Sequence, residues 1–201
     1  KNMVAWDLYC GTGSIALPAA RKVKEMHGVE LVESSISDAK QNAKLNGIKN
    51  TTFQVADLHA KDTPELLNKL PKPDIIFIDP PRAGMHTNLV NHLLEVNAPK
   101  IVYVSCNPST QARDCQLLAE KYKVVSVLPV DMFPQTYHIE SIAVLERLKK
   151  LGFLANSGYF SSFTPSNFNI SFFSVFNSPS KLFSYRELIT LAFEKCGSSL
   201  K

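Results

Sequence analysis

The stretch Val4-Ala5-Trp6-Asp7-Leu8-Tyr9-Cys10-Gly11-Thr12-Gly13-Ser14 joins an apolar run to a glycine turn and the start of a helical pattern. Such a stretch predicts a buried strand and then a turn whose backbone approaches a ligand, with the next helix N-terminus facing that ligand. The turn is not a dinucleotide fingerprint, because Ala16 stands at the third glycine position, and it lacks the Gly-Lys-Ser/Thr of a P-loop. It therefore predicts the first strand and ligand turn of an α/β sheet.

Short apolar runs and helix-period segments alternate as far as Leu148 and predict a doubly wound, mostly parallel seven-stranded sheet of α/β class. No helix is apparent between the last two runs, so residues 131–140 join an antiparallel pair and one strand near the edge is reversed. The predicted strands are Val4 to Tyr9, Gly28 to Val32, Thr52 to Val55, Asp74 to Ile78, Ile101 to Ser105, Val124 to Val130 and Ser141 to Leu145. The predicted helices are Ser14 to Lys24, Ile36 to Asn46, Thr63 to Leu70, Thr87 to Val96 and Ser109 to Tyr122, with Ser14, Ser35, Thr63 and Ser109 as N-caps.

Composition places the 201-residue chain among ordinary globular proteins, with no membrane class implied. Its four cysteines show no metal-ligand spacing, and no secretory signal is present, so we expect a reducing cytoplasm, no disulfide and no metal site. The net charge of +4 permits a polyanionic partner without arguing for one.

The chain divides into a predicted catalytic domain, residues 1–150, and a Phe/Ser-rich tail, residues 151–201. Since the sequence enters a buried strand almost at once, we expect it to be a C-terminal piece of a longer protein. The tail is either a small element that packs its phenylalanines on the sheet or foreign sequence without a catalytic role. We assign it no function.

Ser105-Cys106-Asn107-Pro108 follows the apolar run 100–104 and presents a thiol where a strand ends. Ligands of open α/β sheets bind beyond the carboxyl ends of the strands. Asn107 and Pro108 break the strand, so Cys106 is predicted at an exposed strand-to-helix turn. It is a candidate nucleophile, and the alternative is a buried structural thiol.

Acidic residues follow other predicted strands. Glu30 lies near the end of the second, where a carboxylate accepts hydrogen bonds from a ribose diol, and Asp57 follows the third. Together with the aspartate before the glycine turn, they resemble the S-adenosylmethionine site of class I methyltransferases, which have a Rossmann-like fold. The fourth strand ends in Asp79-Pro80-Pro81-Arg82, whereas amine methyltransferases typically have Asn-Pro-Pro-Tyr/Phe, so amine methylation loses support.

Three motifs, in order after the glycine turn, resemble the RNA uracil-C5-methyltransferase family: Asp79-Pro80-Pro81-Arg82-Ala83-Gly84, Ser105-Cys106-Asn107-Pro108 and Phe133-Pro134-Gln135-Thr136-Tyr137-His138-Ile139-Glu140. The resemblance spans about residues 3–148 and implies 5-methyluridine formation in a tRNA or rRNA loop, with S-adenosylmethionine as methyl donor. It implies Cys106 as the nucleophile and Glu140 as the general base. It also places Tyr9, Ser14, Glu30, Asp57 and Asp79 in the cofactor and base pocket.

Two positions depart from the family pattern, since Gln135 stands where many members have His and Ser14 where several have Asn. Other functions stay open: a cytosine-C5-methyltransferase, although the loop after the fourth strand holds no cysteine, or a non-catalytic S-adenosylmethionine-binding module that contacts RNA. Arg82 pairs with either a phosphate or a carboxylate. His138 either orients the substrate or closes its turn.

Overall fold

The computed structural model describes residues 2–132 and 135–148, so the predicted tail, residues 151–201, lies outside the described residues. The strands are β1 (Val4–Leu8), β2 (Glu25–Glu30), β3 (Thr51–Val55), β4 (Ile75–Ile78), β5 (Lys100–Ser105), β6 (Tyr122–Val130) and β7 (Glu140–Arg147). The helices are α1 (Ala16–Ala20), α2 (Glu33–Leu45), α3 (Thr63–Leu67), α4 (Thr87–Val96) and α5 (Pro108–Leu118).

The strands form one seven-stranded sheet in the order β3-β2-β1-β4-β5-β7-β6. Strands β1 to β5 pair in parallel, and β7 runs antiparallel to both of its neighbours. The prediction of a mostly parallel sheet with one reversed strand near the edge is confirmed. The strand order reverses between β1 and β4, and at such a switch point the loops diverge and leave a crevice at the carboxyl edge.

Two apolar cores lie on opposite faces of the sheet. Residues of α1 and α2, such as Leu17 and Ile36, pack against one face. Residues of α3, α4 and α5, such as Leu67, Leu93 and Leu118, pack against the other. The sheet is therefore covered on both sides, as parallel strands require, and its carboxyl edge is left for a site. Among the described residues, no helix combines the length and the apolar content needed to cross a membrane.

The first helix is much shorter than predicted, since α1 ends at Ala20 rather than at Lys24. Asn50 explains the early end. Its Nδ2 donates hydrogen bonds to the carbonyl oxygens of Ala20, Val23 and Lys24 at 2.8 to 3.2 Å. These carbonyls therefore turn toward Asn50 instead of continuing a helical ladder, and this long-range contact has no signal in the local sequence.

The predicted N-caps are wrong. The helices α1, α2 and α3 begin without a side-chain cap, and α5 is capped by Asn107, whose Oδ1 accepts from the Ser109 amide at 3.1 Å. Pro108 already occupies the first helical position of α5, which moves the cap ahead of Ser109. Thr63 is itself helical, and its hydroxyl donates to the carbonyl oxygens of Asp57 and Ala60.

Strand β2 begins three residues earlier and ends two residues earlier than predicted. Its early part contains polar His27, whose Nδ1 lies 2.6 Å from Thr52 Oγ1 on the neighbouring strand. Leu31 and Val32, predicted inside the strand, are instead about half exposed beyond its end, at 58% and 48%. Cross-strand pairing thus outweighs the apolar pattern here. The last two strands also extend beyond their predicted bounds, and α3 and α5 are shorter.

Gly28 lies in the centre of β2, where a side chain has no room. A Cβ atom there would lie 2.5 Å from Phe53 Cδ1 and 2.9 Å from Cys10 Sγ. We expect Gly28→Ala to lower the free energy of unfolding by about 1–3 kcal/mol, because the core must shift to admit the methyl group. Urea denaturation measures the loss. Phe53→Leu in the same chain should restore part of it, and strictly additive losses in the double variant would contradict this account.

Candidate active site

The proposed site residues lie at one edge of the sheet. Strands β1 to β5 are parallel, so their carboxyl ends meet there, and antiparallel β7 brings its first residue to the same edge. The residues at this edge are Tyr9 after β1, Ser14 in the exposed turn before α1, Glu30 at the end of β2, Asp57 after β3, Asp79 after β4, Cys106 after β5 and Glu140 at the start of β7.

Cys106 and Glu140 are brought together by the pairing of β5 with β7. The last pair of this ladder is Ser105 with Ser141, and the same register extended by one residue sets Cys106 opposite Glu140. Cys106 lies in the bend that directly follows β5, one residue beyond the paired part of the strand. The candidate nucleophile and the candidate base therefore share one end of the crevice.

Gln111 of α5 makes hydrogen bonds to both β5 and β7 near this edge of the sheet. Its buried Nε2 donates hydrogen bonds to the Tyr103 carbonyl at 2.8 Å and to the Ser141 carbonyl at 3.0 Å. The amide thereby links β5 to β7 close to Cys106 and Glu140, since the Ser141 that it binds directly follows Glu140. No sequence pattern indicated this residue, because its partners lie on two other elements.

Glu140 occupies a largely dry position, with 9% of its surface exposed. Burial raises the pKa of its carboxyl group, and the nearby Arg82 and His138 partly oppose that rise. Arg82 Nη2 lies 2.8 Å from His138 Nδ1, so this guanidinium contacts an imidazole in the structure. A carboxyl group with a raised pKa beside a cation is suited to accept and release a proton.

Among the described cysteines, Cys10 is buried, whereas Cys106 and Cys115 are both partly exposed. Burial raises the pKa of the Cys10 thiol and raises that of Cys115 to about 12. Both groups therefore stay protonated at neutral pH, and a protonated thiol is a poor nucleophile. Cys106 is partly exposed, and it lies one residue before the N-cap of α5.

At the other end of the crevice, Glu30 holds the glycine turn. Its Oε2 accepts a hydrogen bond from the Gly11 amide at 3.1 Å, and its Oε1 accepts from the amides of Leu31 and Val32. Gly11 and Gly13 have φ angles of +50° and +88°, which L side chains rarely adopt. The carboxylate thus orders the turn in which a ligand would meet the backbone.

Asp7 is fully buried beside this turn, and among the described residues neither of its carboxylate oxygens makes a hydrogen bond of ordinary length and angle. Burial raises the pKa of its carboxyl group well above the ordinary value, and the charges of Asp79 and Glu30 raise it further. The backbone amide of Ala16 opposes the shift. The charges of Asp79 and Glu30, which raise the pKa of Asp7, give this end of the site a negative potential that suits a cationic ligand.

We expect Asp7→Asn to stabilise the ligand-free protein at neutral pH. A buried carboxyl with a raised pKa loses folding free energy as pH rises above its unfolded value of about 3.9, because ionisation then costs more in the folded state. The variant should therefore show a higher free energy of unfolding at pH 7 and a flatter pH profile. Urea denaturation from pH 4 to 8 checks this, with exposed Asp38→Asn as the matched control. Identical pH profiles for Asp7→Asn and the wild type would contradict it.

Three aromatic side chains form a contact group that sequence reasoning missed. Tyr9 Oη lies 3.2 Å from His59 Nε2, and the His59 ring stacks on His86 with centroids 5.5 Å apart. Tyr9 has a φ of +65°, a left-handed conformation that is costly for a tyrosine and often marks functional sites. Asp57 Oδ1 accepts from the His59 amide at 2.8 Å, so Asp57 orders its own loop in the structure.

A separate cleft of about 530 Å³ lies between α2 and β3, lined among others by Lys40, Lys44 and Lys49. It lies beside the C-terminal end of α2 and the first residues of β3, away from the carboxyl edge, and it holds none of the candidate site residues. Within the described residues, no group of three or more metal-ligating side chains is present.

Residues 3–148 match the family model described as tRNA (Uracil-5-)-methyltransferase. A Bacteroides thetaiotaomicron protein described as an uncharacterized RNA methyltransferase is 51% identical over 146 residues, which cover 73% of this chain and 32% of that protein. A similarly described Chlorobaculum tepidum protein is also 51% identical over 146 residues, covering 71% of this chain and 30% of that protein.

Among solved structures, the Pyrococcus abyssi tRNA (uracil-54, C5)-methyltransferase in complex with S-adenosyl-L-homocysteine is 33% identical, with a TM-score of 0.63. The match covers 72% of this chain and 34% of that chain. TrmN from Thermus thermophilus shares the fold at 21% identity, with a TM-score of 0.58. The chain spans about a third of the length of the curated relatives it matches.

Proposed function

Because this chain belongs to the tRNA (uracil-5-)-methyltransferase family, we propose that residues 3–148 transfer a methyl group from S-adenosylmethionine to C5 of a uridine in RNA. The proposal includes a covalent bond between Cys106 and C6 of the uracil. The observation that carries it is that the β5–β7 ladder, whose last pair is Ser105 with Ser141, leaves the partly exposed Cys106 and the buried Glu140 directly beyond that pair at one edge of the sheet. A thiol and a carboxyl group are the two groups that this chemistry needs.

The carboxyl cluster fits the cofactor. S-adenosylmethionine carries a sulfonium and an ammonium group, and the unpartnered, buried carboxyl of Asp7 lies beside the charges of Asp79 and Glu30. Asp7, Asp79 and Glu30 would hold the cationic end and the ribose, next to Tyr9 and Ser14 at the glycine turn, with Asp57 in the adjoining loop. When bound, the cofactor supplies an electrophilic methyl group.

Uracil C5 is a weak nucleophile until a nucleophile adds to C6. The Cys106 thiolate forms a bond to C6, and the electron pair of the C5–C6 double bond moves into an enolate that is nucleophilic at C5. With the cofactor bound, C5 would form a bond to its methyl carbon while the bond from that carbon to the sulfonium sulfur breaks, which would leave a neutral thioether as the departing group; C5 would still bear its hydrogen. Glu140 removes that proton, the double bond re-forms, and the bond from C6 to the Cys106 sulfur breaks. The free thiolate and 5-methyluridine result.

The substrate is an RNA loop, of tRNA or rRNA, in this proposal. C5 and C6 are reached only when the base leaves its stack, which costs a few kcal/mol and is cheapest in a loop. The net charge of +4 is compatible with a polyanionic partner. We propose a reducing cytoplasm as the compartment, because the four cysteines of the sequence are scattered and show no metal-ligand spacing.

Incubation of the chain with S-adenosylmethionine and an RNA hairpin that carries 5-fluorouridine in its loop tests the function. Fluorine at C5 is not removed as a proton, so the enzyme should stall as a methylated covalent complex. Denaturing gels and intact mass measure that complex. Its absence, with cofactor binding retained in calorimetry, would refute catalysis by this chain, and a complex formed only with 5-fluorocytidine RNA would indicate cytosine as the substrate.

A further inference from the structure

Side chains at the N-cap and in the first turns of α5 donate hydrogen bonds to the backbone of the loop that follows β4. Asn107 Nδ2 and Thr110 Oγ1 both donate hydrogen bonds to the Arg82 carbonyl oxygen, at 3.1 and 3.2 Å. One turn further on, Arg113 Nη2 donates to the Ala83 carbonyl oxygen at 2.9 Å. These contacts come from one face of the helix, and they hold main-chain rather than side-chain atoms of the loop.

Asp114, which is fully buried, also binds the backbone of this loop. Its Oδ2 accepts hydrogen bonds from the Met85 amide at 2.8 Å and from the Tyr103 hydroxyl at 2.7 Å. Its Oδ1 accepts from Nε and Nη2 of Arg113 at 2.9 and 2.7 Å. A buried carboxylate is costly unless it is paired and hydrogen-bonded, and here both oxygens are used. Asp114 thus joins α5, β5 and the loop at one point.

Gly84 fits between the two loop groups that α5 holds. Its φ is +80°, and a Cβ atom there would lie 2.5 Å from Arg113 Nη2 and 2.6 Å from Asp114 Oδ2. Only glycine allows the loop to come this close to the ion pair. We use the name α5 clamp for the contacts of Asn107, Thr110, Arg113 and Asp114 with the backbone of residues 82–85.

We propose that the α5 clamp positions the Asp79–Arg82 segment relative to Cys106, with Asp114 as its principal positioning residue. Cys106 directly precedes the first clamp residue, and Asp79 lies three residues before the first loop carbonyl that is held. The clamp therefore connects the cofactor side of the crevice to the nucleophile through a few hydrogen bonds. This inference rests on the proposed function, because it assigns the clamp a role in the covalent step.

The test compares folded variants in the single-turnover formation of the 5-fluorouridine RNA complex. We expect Asp114→Asn and Gly84→Ala to slow complex formation by about 10- to 100-fold at saturating RNA, because a small misplacement of reacting groups has effects of this size. The calorimetric Kd for S-adenosylmethionine should change less than the rate does, because Glu30 and the glycine turn that it orders are not held by the clamp, whereas Asp79 is close to it. Gly84→Ala keeps every charge of the clamp, so it remains informative if Asp114→Asn is poorly folded.

Two matched controls separate positioning from general stability. Gln116→Ala changes an exposed residue of the same helix and should leave the rate unchanged. Tyr103→Phe removes one hydrogen bond to Asp114 but no contact with the loop, so it should lower the thermal midpoint more than the rate. Wild-type rates in folded Asp114→Asn and Gly84→Ala would overturn the inference.

Amide hydrogen exchange tests the clamp without catalysis. The Met85 amide is bonded to Asp114, so Asp114→Asn should accelerate its exchange, and that of the segment 105–107, by at least about tenfold relative to Gln116→Ala. If the wild type forms no covalent complex, the proposed function fails while exchange still reports on the clamp. If the complex forms but exchange and rates do not respond, the clamp inference fails alone.

Discussion

Cys106→Ala should abolish the covalent complex with 5-fluorouridine RNA and slow methylation of ordinary uridine RNA on the order of 10⁴-fold or more. Without the thiolate no group adds to C6, so C5 never becomes nucleophilic. Cofactor affinity should stay within about threefold of wild type, because the carboxyl groups of Asp7, Glu30 and Asp79 are untouched. Tritium transfer from labelled S-adenosylmethionine measures turnover, and calorimetry measures cofactor binding.

Cys115→Ala is the matched control for this substitution. Burial raises the pKa of the Cys115 thiol to about 12, so it is not a thiolate at neutral pH. Its removal should leave the covalent complex intact and lower only the thermal stability, through a small loss of packing. Retention of methylation by Cys106→Ala, or its loss in a folded Cys115→Ala, would contradict the nucleophile assignment.

The architecture was predictable because a strongly apolar run in a globular chain of this size is most stable when it is buried in the core. Runs such as Ile75–Ile78 are buried throughout, and continuous burial is typical of a parallel sheet covered on both faces. The prolines and asparagine after these runs also marked where the strands end. The carboxyl-edge position of Cys106, Glu30 and Asp79 followed from those ends, since strand direction determines which edge a loop joins.

The element boundaries were less predictable because long-range partners set them. Asn50, which is distant in the sequence, donates hydrogen bonds to carbonyl groups that would otherwise have continued the backbone hydrogen bonds of α1. His27 enters β2 because Thr52 on the next strand provides a hydrogen-bond partner. Neither contact leaves a local pattern, so propensity alone places the ends of these elements wrongly.

The sequence proposed members of the site but gave no indication of the contacts between them. Motif resemblance pointed to Cys106 and Glu140, whereas their pairing depends on the register between β5 and β7. No motif marks Asp114, which falls inside a predicted helix, yet it is completely buried and bonded to two other elements. Such residues become recognisable only when the loop they hold is placed in three dimensions.

Glu140→Gln should convert ordinary uridine RNA into a trapping substrate. Cys106 still adds to C6 and the methyl group still transfers, but the amide does not accept the C5 proton, so elimination stalls. A methylated covalent complex should therefore accumulate, with product release slowed by about 10²- to 10⁴-fold. Intact mass should show protein, RNA and one methyl group joined, and the double variant with Cys106→Ala should show no complex.

The raised pKa of this carboxyl group should also determine how product release by the wild type depends on pH on the acid side. Burial raises the pKa of Glu140, and a base with a raised pKa is protonated over a wider acidic range. Product release should therefore fall as pH drops through that raised pKa, and the covalent complex should accumulate at low pH even in the wild type. Glu146→Gln, on the same strand but paired with Lys100 at its other end, is the matched control and should keep the wild-type profile.

Normal release by Glu140→Gln at every pH would mean that another group removes the proton, and His138, which lies beside Arg82 at the same edge, would then be the residue to replace.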